Sequence, residues 1–229
     1  MPFLRSGKNY TMKNTKQNNI HKKPIIIFYD LETTGLNPYH HEIIEIGAYR
    51  LYDKKLKKFN HLIKPDIELS SKITDITGIK NEDLIDKSNI DIIISKFISF
   101  ILENIDEDLN QIYLIAHNND SFDELFLKLN VSKYFQYQPQ ICNQFKFIDT
   151  LRLTQKLYKD RFSYSLSSLS KTFNIIQQNA HRALCDVDCM FTIYLRICDK
   201  LYPHFGLTNK EELLHRPDLI YNYIYENIK

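Results

Sequence analysis

The chain has 229 residues with a net charge of +2, and 43% of them are hydrophobic, so it is long enough for one α/β domain with a substantial core. No apolar run approaches the ~18 residues of a membrane-spanning helix, and residues 1–24 are too polar for a secretory signal peptide. The four cysteines form no C-x-x-C pair, which favours a reduced intracellular protein, cytoplasmic or nuclear, over a secreted one.

The charge is unevenly distributed along the chain. Residues 1–23 contain six basic residues and no acidic one, which leaves 24 basic and 28 acidic residues in the remainder. This composition predicts a disordered basic arm. Such an arm either adds nonspecific affinity for phosphate groups or is a solvated tail, and the composition favours neither. With one Arg and no amphipathic period, the arm is not typical of a mitochondrial presequence.

The first predicted element is a buried central strand that ends in two acids. Residues 25–29 are all apolar or aromatic and are followed directly by Asp30-Leu31-Glu32. Residues i and i+2 of a strand point to the same face, about 6.6 Å apart, so Asp30 and Glu32 face the same way. Two like charges beside a core repel each other, and a divalent cation such as Mg²⁺ resolves that conflict. The alternative is a polar strand end wetted by solvent.

Further along the chain, alternation predicts strands over 42–52 and 59–63. Two short helices separated by Gly78 follow, and then a core-facing helix over 90–101. This region carries no pattern that indicates chemistry.

A short buried strand over 112–116 leads into a polar segment and a helix. Asp123 lies in the first turn of that helix, where the helix N-terminus favours an anion. Alone, it is more typical of a helix-start acid than of a ligand. The predicted apolar face of the helix consists of Phe122, Leu125, Phe126 and Leu129.

Residues 131–148 show no clear pattern, whereas a helix is predicted from 149 to 158, and the segment 162–169 is predicted to be a Ser-rich turn that opens another helix. A long helix follows His181. If His181 and Asp186 both lay in it, their side chains would point about 140° apart, so a shared site requires His181 on the preceding loop. The competing interpretation is a metal site of His181, Cys185 and Cys189, which lacks a fourth ligand.

The C-terminal segment 201–229 is predicted to be a helical extension packed on a domain of residues 24–200. It contains Thr208-x-x-Glu211, a capping-box pattern, and a last amphipathic stretch around Ile220 and Ile224.

Four acids and one histidine therefore lie at element ends, where α/β sheets place their sites. Such a set suits two metal ions about 3.5–4 Å apart, which stabilise the attacking and leaving oxygens of a displacement at phosphorus. The histidine can take a proton from the attacking water. Neither a P-loop nor a Gly-rich dinucleotide turn is present, which argues against an NTPase or a Rossmann oxidoreductase. The set consists of Asp30, Glu32, Asp123, Asp186 and His181.

Three segments resemble the three motifs of the DEDDh, or DnaQ-like, 3′→5′ exonucleases: Asp30-Leu31-Glu32-Thr33-Thr34-Gly35-Leu36, Ala116-His117-Asn118 with Phe122-Asp123, and His181 with Asp186. The resemblance covers roughly residues 24–200 and implies an RNase H-like α/β fold, a five-stranded mixed sheet flanked by helices on both faces. The six-residue step from His117 to Asp123 is closest to the three-prime repair exonuclease (TREX) branch, although a proline-rich insertion of that branch is absent.

The resemblance also implies roles. Asp30, Glu32, Asp123 and Asp186 would bind two Mg²⁺ ions, for which Mn²⁺ can substitute, and His181 would be the general base. Leu36 would wedge against the terminal bases, and the residues implied to contact the last nucleotide are Thr33, Phe122, Ser163 and Tyr164. Two plain alternatives stay open: Thr33 and Thr34 cap a turn, and His117 and Asn118 belong to a hydrogen-bonded loop.

The implied activity is hydrolysis of phosphodiester bonds from single-stranded or frayed DNA 3′ ends, releasing nucleoside 5′-monophosphates. An exoribonuclease of the same fold is an alternative, because the motifs do not reveal contacts to the 2′-hydroxyl. An inactive nucleic-acid-binding module is a third, and the presence of all five site residues argues against it. A TREX-type homodimer and a polymerase or repair partner stay open.

Overall fold

A computed structural model describes residues 23–104, 111–135, 144–176 and 181–226, apart from the side chains of 133–135. The predicted basic arm, except Lys23, lies outside the described residues. The strands are β1 (Ile25–Thr33), β2 (Ile43–Tyr52), β3 (Lys55–Leu62), β4 (Ile112–Ala116) and β5 (Phe145–Asp149). The helices are α1 (Ser71–Thr77), α2 (Asn81–Leu84), α3 (Ile90–Ile101), α4 (Asp123–Phe135), α5 (Thr150–Leu157), α6 (Leu166–Thr172), α7 (Ala183–Leu201), α8 (Lys210–Leu214) and α9 (Pro217–Tyr225). Short 3₁₀ turns cover Asn119–Ser121 and Tyr202–Phe205.

The five strands form one mixed sheet in the order β3-β2-β1-β4-β5, with β1 at its centre. β1 and β3 both pair with β2 in antiparallel fashion, whereas β4 pairs in parallel with both β1 and β5. The prediction of a five-stranded mixed sheet is confirmed. Its fifth strand lies in the region where the sequence showed no pattern.

Helices cover both faces of the sheet, as predicted, because successive side chains of the central strand point to opposite sides. Ile25, Ile27 and Tyr29 pack into one core with α3 and α4. Ile26 and Phe28 pack into a second core with α7 and the C-terminal helices. All five side chains are 0% exposed, so β1 is buried on both faces. Packing on both sides therefore fixes the position of the polar residues that follow in the same strand.

Three local predictions were wrong. Leu125 is 44% exposed and the core-facing positions of α4 are Phe126, Leu127 and Val131, because apolar residues are spread around that helix and define no single stripe. The cap of α8 is Asn209, one residue beyond the predicted Thr208, and its side chain accepts from the Glu212 N–H. β3 starts at Lys55, four residues before the predicted Phe59, since it continues directly from a tight hairpin at Asp53 and Lys54.

The C-terminal helices belong to the second core. Leu213, Leu214, Ile220 and Ile224 are buried in the same cluster as Phe28. The hydroxyl of Tyr225 accepts a hydrogen bond from the Asp149 backbone N–H at 3.1 Å and donates to Asp120 Oδ1 at 3.2 Å. Within the described part of the chain, none of the helices has the length and apolar character needed to cross a membrane.

Candidate active site

Asp30 and Glu32 lie where β1 extends beyond its parallel neighbour. The last β1–β4 pair joins Phe28 to Ile115, whereas β2 continues alongside, placing Gly47 opposite Asp30 and Glu45 opposite Glu32. The two carboxylates are half-buried at this open end of the sheet. Strand geometry therefore places both acids beside the loop that follows β4.

Asp123 reaches the same place from that loop. It is 2% exposed, begins α4, and its Oδ1 accepts from the Leu31 N–H at 3.0 Å. The loop is anchored by Asn119, which is fully buried and accepts from the Tyr29 hydroxyl at 2.6 Å. Asn119 Nδ2 also donates to the carbonyl of Ile148 at 3.1 Å. Asp123 is thus tied to β1 directly and through its loop.

His181 precedes α7 and Asp186 lies in its first turn, which is the arrangement predicted for a shared site. His181 is exposed, and its φ of +63° lies in the left-handed region. Its backbone N–H donates to Asp186 Oδ2 at 3.1 Å. This turn directs the histidine back toward the acid five residues later.

Three of the five predicted residues meet closely. Glu32, His181 and Asp186 each offer a ligand atom, and these atoms lie within 4.8 Å of one another. Among the described residues no such three-ligand group contains Cys185 or Cys189, so the competing cysteine site finds no support. Asp30 and Asp123 lie outside this tight group but line the same cleft.

The acids of the site are crowded and partly buried, which makes their ionised forms costly. Burial, followed by the charges of Asp186, Glu45 and Asp123, raises the pKa of Glu32 to about 8. Burial also raises the pKa of Asp123 to about 8, although the backbone N–H of Leu31 opposes the shift. The pKa of Asp30 is raised as well, by burial and then by Asp123. Clustered hard oxygen donors of this kind fit a divalent cation such as Mg²⁺.

The site opens into a cleft of about 640 Å³. Three of the predicted nucleotide contacts, Phe122, Ser163 and Tyr164, line it. Sequence reasoning missed Phe162, which also lines the cleft and whose side chain is completely exposed. The only signal for Phe162 in the sequence was its position as the first, aromatic residue of the Ser-rich turn.

The other two predicted contacts are placed differently. Thr33 is 6% exposed and its hydroxyl donates to the Gly35 carbonyl at 2.6 Å, which matches the turn-capping alternative. Leu36 is 83% exposed on the same turn. Neither is among the residues that line the cleft.

His117 links two segments that line the cleft. Its Nε2–H donates to the Tyr164 carbonyl at 2.8 Å, and its Nδ1 lies 3.0 Å from Thr150 Oγ1. Burial lowers its pKa to about 4. Asn118 is exposed, and its backbone N–H donates to Asp149 Oδ1 at 3.0 Å. These contacts match the hydrogen-bonded-loop alternative for both residues.

Comparisons with known proteins agree on the type of domain. A profile of the RNase_T family, described as exonuclease, matches residues 27–195. The chain is 32% identical over 219 residues to a PolC-type DNA polymerase III of Thermotoga petrophila, covering 95% of this chain and 15% of that protein. It is 26% identical over 185 residues to a DNA polymerase III subunit epsilon of Aquifex aeolicus, covering 79% of this chain and 84% of that protein. The chain therefore spans a small part of its PolC relatives.

Solved structures share the fold. E. coli exonuclease I in complex with a dT13 oligonucleotide superposes with a TM-score of 0.64 at 20% identity, over 80% of this chain and 43% of that one. Exonuclease X in complex with 5′ overhanging duplex DNA gives a TM-score of 0.57 at 25% identity, over 81% of this chain and 95% of that one. The predicted RNase H-like fold is confirmed. The chain belongs to the RNase_T exonuclease family, whose DnaQ-like members are divalent-metal-dependent 3′→5′ exonucleases.

Proposed function

We propose that this chain hydrolyses phosphodiester bonds at the 3′ end of DNA and releases nucleoside 5′-monophosphates. The observation that carries the proposal is the meeting of Glu32, His181 and Asp186 within 4.8 Å in a cleft that Asp30 and Asp123 also line. A cleft with this many acids repels a phosphodiester unless cations are bound, so the proposal includes two divalent ions, Mg²⁺ or Mn²⁺.

The four carboxylates would hold those ions. When bound, the ions supply an activated water and stabilise the attacking and leaving oxygens. Asp123 is oriented for this role by its hydrogen bond from the Leu31 N–H, and Asp186 by its bond from the His181 N–H. Both acids are therefore preorganised before substrate arrives.

His181 would act as the general base. Its side chain is exposed to solvent at the mouth of the site, so water can reach it. A ring nitrogen would accept the proton of the attacking water while Asp186, fixed by the same turn, stays beside it. The left-handed backbone of His181 supports this role, because it keeps the residue outside α7, on the turn before the helix.

Nucleobases would contact the apolar rim of the cleft. Phe122 and Tyr164 lie in the lining, and the exposed Phe162 adds an aromatic face on which a base can stack. Leu36, which is 83% exposed on the turn after β1, would wedge against the terminal bases. DNA is favoured over RNA because the polymerase III relatives are named as DNA polymerases. The same names favour a DNA polymerase as partner and an intracellular location.

The test uses a 5′-labelled single-stranded DNA and the matching RNA, each incubated with the protein and Mg²⁺. EDTA and His181→Ala serve as controls. A ladder shortened from the 3′ end of DNA, lost in both controls, is the expected result.

Other outcomes point elsewhere. A ladder on RNA alone would mean that the protein uses the same chemistry to trim RNA. Binding of both nucleic acids without cleavage would leave an inactive binding module as the better description.

A further inference from the structure

Glu45 is a buried acid that the proposed chemistry does not use. It lies on β2 opposite Glu32, and its side chain is 1% exposed. Its Oε1 accepts from Arg182 Nη2 at 2.9 Å, and its Oε2 accepts from Arg182 Nε at 3.1 Å and from the Ala183 N–H at 3.1 Å. All of these bonds lead to the start of α7.

The residues that Glu45 holds begin the turn that carries the site. The Arg182 carbonyl accepts the N–H groups of Cys185 at 2.8 Å and Asp186 at 3.0 Å. His181, directly before Arg182, donates its N–H to Asp186. A displacement of Arg182 would therefore move the histidine and the acid together, away from Glu32.

Attachment of α7 to the sheet does not require this ion pair. The helix already buries Val187, Met190 and Tyr194 against the core. The Arg182 side chain is 40% exposed, and an ion pair that is open to solvent on one side contributes little net stability. A bidentate arginine–carboxylate pair instead fixes geometry, because two parallel hydrogen bonds define both distance and orientation.

A role for Glu45 as a fifth metal ligand fits less well. Both of its oxygens face the Arg182 fork and the Ala183 N–H. It is also outside the group formed by Glu32, His181 and Asp186 among the described residues.

We infer that Glu45 and Arg182 are a positioning pair, which holds His181 and Asp186 at the correct distance from Glu32 and so sets metal binding and the chemical step without contacting DNA. The inference rests on the proposed function. The pair should therefore affect kcat and not the affinity for DNA.

The test compares Arg182→Lys, which keeps the charge and loses the two-pronged bond, with wild type. Arg216→Lys is the control for the chemical change, because Arg216 makes a bidentate pair with Asp218 that is exposed and lies in the C-terminal region. A second variant, Glu45→Gln, keeps the shape and removes the charge. Measurements are kcat and KM on single-stranded DNA, Mn²⁺ affinity by calorimetry, and folded fraction by circular dichroism.

For Arg182→Lys we expect kcat to fall by roughly 10- to 100-fold and Mn²⁺ affinity by about 10-fold. At saturating Mn²⁺, KM and folded fraction should stay at the wild-type value, and Glu45→Gln should lower kcat and Mn²⁺ affinity in the same way. Arg216→Lys should match wild type throughout.

Unchanged kcat and Mn²⁺ affinity in both site variants would overturn the inference. So would a raised KM with unchanged kcat, which would make Arg182 a DNA contact, or a loss that simply follows unfolding. If wild type and Arg216→Lys are also inactive, the proposed function fails, and the Mn²⁺ measurement still decides the role of the pair.

Discussion

Gly47 lies so close to the first turn of α7 that a Cβ added to it would sit 2.4 Å from the backbone nitrogen of Leu184. The obstructing atoms are backbone, so Gly47→Ala makes room only by moving the helix. We expect a loss of about 1–3 kcal/mol in the free energy of unfolding. A fall in kcat should accompany it, because the same turn carries Asp186. Thermal denaturation and a single-stranded DNA assay measure both effects.

The control for Gly47 is Gly206→Ala. Gly206 has a φ of +67°, and no atom of the described residues lies within 4 Å of the added Cβ, so the expected cost is backbone strain. That strain is worth roughly 1–2 kcal/mol. The variant should lose stability and keep wild-type kcat. Equal kcat for the two glycine variants would mean that helix position does not control the site.

Asp186→Asn should lower kcat by more than about 100-fold. Loss of a proposed metal ligand should reduce activity more than the roughly 10- to 100-fold that is typical when a residue supporting a ligand is lost. Asp188→Asn removes the same charge two residues further along α7. Asp188 is exposed and accepts from the Tyr49 hydroxyl at 2.7 Å, which Asn can also do. The Asp188 variant should therefore retain wild-type kcat in the same assay, and near-wild-type activity of Asp186→Asn would remove Asp186 from the site.

Metal removal should expose the repulsion between the acids. In the ion-free folded protein Glu32 keeps its proton up to about pH 8, compared with an ordinary pKa of 4.5. Between these values the folded state binds more protons than the unfolded state, so stability falls as pH rises. Mg²⁺ replaces those protons, so the Tm difference between Mg²⁺ and EDTA should be larger near about pH 8.5 than near about pH 6. A pH-independent difference would contradict this account of the site.

His117 should make the protein sensitive to acid. Burial holds its pKa at about 4, below its ordinary value of 6.5, so it is neutral in the folded protein while the unfolded chain takes up a proton in that interval. Stability contributed by the neutral form is complete above 6.5 and is lost as pH falls toward 4. At pH 5 the loss is about 2 kcal/mol. Between pH 7 and pH 5, wild type should therefore lose more stability than His117→Asn in denaturant titrations, whereas parallel losses would mean that His117 is already protonable when folded.

The sequence was informative where chemistry and periodicity coincide. β1 is apolar on both faces and ends in a short acidic motif, so its burial and the direction of Asp30 and Glu32 follow from strand geometry. The step from His181 to Asp186 likewise required a loop followed by a helix start, which the fold provides.

The features that could not be predicted depend on tertiary contacts. β5 is a five-residue edge strand in which lysine alternates with phenylalanine, and only its last two residues are buried. Glu45 alternates with Ile44 and Ile46, which is typical of a residue facing solvent, yet the start of α7 covers it. Asn119 is polar and fully buried because it links three segments that are distant in the sequence. A local sequence pattern does not reveal contacts between residues that are distant in the sequence.

The contact from Tyr225 to Asp149 and Asp120 has a practical meaning for anyone who moves this domain into another protein. The family profile ends at residue 195, inside α7, whereas the hydroxyl that braces the Asn119 loop comes from residue 225. A fragment that ends at residue 195 would lack Leu213 and Ile220 and would expose the part of the second core that these residues cover. The segment to transfer is therefore longer than the segment that matches the family profile, and a fusion partner should be joined beyond α9.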